Sequence, residues 1–90
     1  MPLYRDELPK KSWVLGVIVE GRAKAYPIAQ LPPNQSIIEL VGGKEIQISY
    51  DPDSHRPGVF HSDTGDVVPS VIAYWFAWQA FYPETSLWSP

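Results

Sequence analysis

Apolar and polar positions along this chain change period several times, and each change predicts an element. Trp13 to Val19 is almost wholly apolar, Glu20-Gly21 interrupts it, and Arg22 to Ile28 resumes with smaller apolar residues. Two short apolar runs joined by two residues, the second a glycine able to take a positive φ, predict a β-hairpin. With Val19 opposite Arg22, one face of that hairpin holds Val14, Gly16, Ile18, Ala23 and Ala25, a smooth surface expected to face the core. Pro27 cannot donate to a ladder, and Leu31-Pro32-Pro33-Asn34 is a turn in which a helix cannot propagate. Ser36 to Val41, Gly42-Gly43 and Lys44 to Tyr50 repeat the hairpin form, and Ile46, Ile48 and Tyr50 alternate with Glu45, Gln47 and Ser49.

Asp51 to Gly58 holds two prolines and a glycine among polar residues and is expected to be a loop. Val59 to His61 and Val67-Val68 then flank the turn sequence Asp63-Thr64-Gly65-Asp66, a shorter third hairpin. From Ser70, a suitable helix cap, Val71, Tyr74, Trp75, Trp78 and Tyr82 fall at helical spacing, and Pro83 forbids much continuation. The spacing predicts a helix from about Ser70 to Tyr82. Ile72, Phe76 and Phe81 lie off its main stripe, so both of its sides ask for cover.

The chain divides into an extended lead-in over residues 1–11, with Pro2 and Pro9 and little order expected, and a single β-rich domain over residues 12–90. The expected fold class is α+β: a small antiparallel β-sheet or partly closed barrel of hairpins with one C-terminal helix packed on it. Ninety residues allow one core, burying roughly 60 to 65% of the unfolded surface, so stability is expected to be modest. Apolar residues make up 44% and charged residues 19%, the balance of a chain that folds rather than one that stays disordered.

Seven basic residues stand against ten acidic ones for a formal charge of −3, and no Lys/Arg cluster could neutralise a run of phosphates, which argues against nucleic acid as a partner. Cysteine is absent, which removes disulfides, thiol redox chemistry, thiolate metal sites and covalent haem attachment. The polar start lacks the apolar stretch of a signal peptide, and the longest apolar run, Val71 to Trp78, is far short of the roughly 20 residues that cross a bilayer, so membrane insertion is not expected.

Candidate chemistry concentrates in two places. Asp51, Asp53, His55 and His61, with Asp63 nearby, offer carboxylates and imidazoles that could converge on a metal ion, a hard-to-borderline donor set, if the loop folds back on the next strand. The same residue types are ordinary in solvated turns, and no HExxH, EF-hand or paired zinc-finger spacing is present. His55 and His61 are also the only imidazoles for a nucleophilic triad, and no glycine-flanked elbow serine or phosphate-cradling loop accompanies them. Glu39 and Glu45 could face each other, but strands this short offer no cleft for acid and base work. No catalytic residue is assigned, no cofactor beyond a metal ion is expected, and a non-catalytic role is favoured. The second place is the aromatic set Trp75, Trp78, Tyr82 and Trp88, which serves either as core or as a surface for a protein partner, a neighbouring domain or a second copy.

Gly21-Arg22-Ala23-Lys24-Ala25-Tyr26-Pro27-Ile28, then Val41-Gly42-Gly43, then Ile46-Gln47-Ile48-Ser49-Tyr50, and finally Trp75-Phe76-Ala77-Trp78-Gln79-Ala80-Phe81-Tyr82-Pro83-Glu84-Thr85 occur in an order that resembles the domain-of-unknown-function family 3179 of bacteria and archaea. The resemblance runs from about Val14 to Trp88. It implies an extracytoplasmic accessory domain, since members are commonly exported and some are fused to or encoded with electron-transfer proteins such as c-type cytochromes. Members also typically follow the strand-end tyrosine with a Cys-Pro-x-Cys sequence. Here Tyr50 and Pro52 match, whereas Asp51 and Ser54 stand where the cysteines would be. A carboxylate and a hydroxyl neither cycle through disulfides nor favour soft metals, so the thiol chemistry does not carry over. The expectation is a non-catalytic binding or interaction module, the alternative a metal- or cofactor-binding domain using the Asp51 to Asp63 loop.

Overall fold

In the computed structural model of the chain, which describes residues 7–51, 53–54 and 56–89, Glu20 and Gly21 both take positive φ, 51° and 75°. Two such residues make a turn whose twist matches that of the strands it joins. Trp13–Val19 (β1) and Arg22–Pro27 (β2) therefore pair antiparallel with Val19 opposite Arg22, the expected register. Gly42 and Gly43, at 59° and 79°, repeat the device between Ser36–Val41 (β3) and Lys44–Asp51 (β4). A Cβ on Gly42 would collide with the carbonyl oxygen of Val19, so the two hairpin tips pack closely.

The expected loop over Asp51 to Gly58 is shorter than the sequence suggests, because Arg56–His61 (β5) pairs along β4 from Arg56 opposite Asp51 to His61 opposite Ile46. Ser62 N–H donates to Glu45 O at 3.1 Å, which puts Pro57 at a position whose nitrogen points away from β4, so the proline costs the ladder nothing. The third hairpin forms as expected: Val68 N–H donates to Val59 O and His61 N–H to Asp66 O, both at 2.8 Å.

The predicted helix from Ser70 requires the main correction. Ser70–Tyr74 (β6) is a strand, antiparallel to β1, and the helix spans only Trp75–Phe81 (α1). β1 would otherwise leave its second edge unpaired, and the β-branched Val71 and Ile72 suit a strand better than a helix. Ser70 caps nothing. The first N–H groups of α1 are met instead by the segment before β1: Trp75 N–H donates to Ser12 O at 2.8 Å and Phe76 N–H to Lys10 O at 3.0 Å. Lys10, in the expected lead-in, thus bonds to the start of the helix. Ser86–Leu87 (β7) adds to β2 in parallel.

The described residues form two sheets, one in the order β6-β1-β2-β7 and one in the order β3-β4-β5, with no closed barrel among them. The larger core lies between them: Leu15, Val17, Val19 and Tyr26 from the first sheet meet Val41, Ile46, Ile48 and Val59 from the second. Each such aliphatic side chain contributes about 1.5–3 kcal/mol on burial. The face expected to hold the core, with Val14 and Ala25, packs against α1 through Trp75 and Trp78. Sheet, sheet and helix form three layers, and β1 is buried on both faces.

Candidate functional site

The β4–β5 ladder decides the fate of the proposed ligand set. Asp51 ends β4 at the hairpin tip, where its Oδ1 accepts from Asp53 N–H at 2.9 Å and its Oδ2 from Ser54 Oγ at 3.0 Å. Asp51, Asp53 and Ser54 are all exposed. The ladder carries His61 to the far end, opposite Ile46. At roughly 3.3 Å per residue that is about 16 Å from Asp51, so the convergence expected of Asp51 and His61 does not form. His55 lies outside the described residues. Among the described residues no three His, Asp or Glu side chains come together as a metal would require. The structure does bring together Asp51 and Ser54 as a hydrogen-bonded pair.

Of the aromatic set, Trp75 and Trp78 are buried and serve as core. Trp78 lies over Gly16, where a Cβ would meet its six-membered ring, and its Nε1–H donates to the buried Thr85 Oγ1 at 2.9 Å. Tyr82 follows α1 at the surface with its ring 4.4 Å from that of Trp78, and the half-buried Trp88 packs on Tyr26 at 5.8 Å. The two central tryptophans hold the helix to the sheet, which is the core alternative of the sequence reading.

A polar cluster joins the two sheets. Lys24 Nζ and Glu39 Oε1 form an ion pair at 2.8 Å, and the fully buried Tyr26 donates its hydroxyl proton to the same oxygen at 3.3 Å. Burial raises the Tyr26 phenol well above its ordinary pKa, and the charge of Glu39 and their hydrogen bond push it the same way. The phenol stays protonated as a structural donor, tying β2 to β3.

The exposed aromatic surface includes Trp13, which the sequence does not single out. Trp13 stacks on Tyr74 at 4.2 Å, and Tyr74 on Phe76 at 5.8 Å, a strip running from β1 across β6 onto α1. Trp13 is 51% exposed and Phe76 42%. Beside the strip, Trp13, Ile28, Tyr50 and Ile72 line an apolar cleft of about 220 Å³ at the seam between the sheets. A second cleft of about 460 Å³, shared with Leu8, Pro9 and Pro27, lies against the same Trp13 and Ile28.

The backbone beside this strip is equally informative. Trp75 N–H donates to Ser12 O, and hydrogen-bonded pairs alternate along an antiparallel ladder, so Ala73 and Val71 direct their N–H and C=O groups at Val14 and Gly16 of β1. Ser70, Ile72 and Tyr74 direct theirs away from the sheet. Among the described residues β6 is an edge strand, and no charged residue falls between Asp66 and Glu84 to guard it. The arrangement can receive an extended, apolar segment, with the ladder giving affinity and the cleft accepting a side chain. Another cleft of about 410 Å³, between the β1–β2 turn and Phe81, Tyr82 and Glu84, touches the sheet edge only at Ser86 of the two-residue β7.

A family profile described as a protein of unknown function (DUF3179) matches residues 2–85. Neither a curated protein nor a solved structure matches the chain.

Proposed function

This chain belongs to the DUF3179 family, and on that premise we propose that it is a non-catalytic interaction module whose working surface is the β6 edge with the strip of Trp13, Tyr74 and Phe76. The observation that supports this most is the coincidence, on one side of the molecule, of an unguarded strand edge, stacked exposed aromatics and an apolar cleft. Aromatic side chains supply much of the energy of protein interfaces, and a charge-free edge strand is a template for another strand. In the setting implied by the family resemblance, an exported domain beside an electron-transfer protein, the module acts as a docking element. Redox chemistry at the β4–β5 tip is not part of the reading, since Asp51 and Ser54 replace the thiols.

A photo-crosslinking residue placed at Phe76 in the producing cells tests it. A crosslinked species that is absent when the same residue is placed at Lys44, on the far hairpin tip, is the expected result. Equal labelling from both positions, or none from Phe76, overturns the reading.

A further inference from the structure

Resting on that interaction reading, we infer that the partner of the β6 edge is a second copy of this chain, paired antiparallel through β6 about a two-fold axis at Ile72. Ser70, Ile72 and Tyr74 direct their backbone groups outward, and this spacing is self-complementary. With Ile72 opposite Ile72 of the second copy, Ser70 falls opposite Tyr74 of the second copy, and every one of these outward N–H groups meets an outward carbonyl. The two sheets become one continuous sheet across the axis.

Charge selects the antiparallel arrangement. One end of β6 lies beside Lys10 and Lys11, because Phe76 bonds to Lys10; the other follows Asp63 and Asp66. All four side chains are exposed. Antiparallel pairing brings the basic end of one copy toward the acidic end of the other, whereas parallel pairing would set like against like. Between those ends nothing is charged. The two Ile72 side chains meet at the axis beside their Trp13 clefts, so the seam is apolar where the ladder is continuous. The remaining edges fit a second copy less well: β5 is already bonded to Asp66 and Val68, β7 has two residues, and β3 carries Glu39 and follows a Pro-Pro turn.

Sedimentation equilibrium on the wild type, on Ile72→Lys, on Ile72→Glu and on an equimolar mixture of the two variants tests the inference. Ile72 is 37% exposed, and near-ultraviolet circular dichroism on each variant checks that it folds. The expected result is a dimer for the wild type, with loss of the dimer mass in each variant alone because like charges meet at the axis, and recovery of that mass on mixing. Phe60→Lys, on the outer face of the second sheet, should leave the dimer unchanged. A wild type that stays monomeric up to about 200 μM, a range that detects even weak association, overturns the inference, as does a dimer indifferent to Ile72→Lys. If the wild type is monomeric while the Phe76 crosslink captures a different protein, the self-pairing falls and the interaction reading stands; if there is no crosslink either, both fall.

Discussion

Gly16 is where one residue's size determines the relation of two layers. Trp78 occupies the space that a Cβ on Gly16 would need, so α1 approaches β1 as closely as it does because that position has no side chain. Gly16→Ala is expected to destabilise the fold by about 1–3 kcal/mol through overpacking, and Trp78→Ala by about 3–5 kcal/mol through the opposite defect. Chemical denaturation of both variants measures this. Tyr26 gives a second residue-scale expectation. Its pKa is raised in the fold, so folding favours the protonated phenol; that contribution is intact below the ordinary value near 10 and is lost as pH climbs above it. In an alkaline titration, ionisation of Tyr26 should therefore coincide with loss of near-ultraviolet dichroism, and Tyr26→Phe should remove that component of the 295 nm absorbance change. A Tyr26 component that titrates near 10 while the near-ultraviolet dichroism is intact would show the phenol to be free.

At the scale of elements, the local signals were legible and the competing ones were not. Gly21 and Gly42-Gly43 announce their hairpins because a two-residue turn needs positive φ and few residues supply it. Ile46, Ile48 and Tyr50 announce β4 by strict alternation. Val71 to Tyr82, by contrast, satisfies a helical period and is also apolar enough for a strand. Only the vacant edge of β1, a tertiary fact, turns its first part into β6. The difference is measurable at Ser70: replacing a helix cap by alanine costs about 1 kcal/mol, whereas Ser70 is an exposed strand residue. Ser70→Ala should shift the denaturation midpoint hardly at all, and a loss near the capping value would restore the longer helix.

For the whole molecule, the arrangement of layers explains what the candidate sites became. The run Val14 to Val19 is apolar without alternation, the signature of a strand covered on both sides. The sequence reading assigned the core to the Val14 face alone and missed the larger core on the Leu15 face. Once both faces of β1 are taken, Trp75 and Trp78 have a place inside, and the exposed aromatic surface moves to Trp13, Tyr74 and Phe76. No sequence signal marks Trp13 as exposed, because its exposure depends on which strand stands at the edge. The Asp51 to His61 ligand set was legible as chemistry but not as geometry, since only the β4–β5 register shows that its ends lie apart.

Amide hydrogen exchange across residues 70–82 tests the edge strand most directly. At high dilution the Val71 and Ala73 amides, bonded to β1, should exchange slowly while Ser70, Ile72 and Tyr74 exchange fast, and protection of those three should rise with concentration. Uniform protection from Val71 to Tyr82 would instead mean a continuous helix and no open edge for a partner.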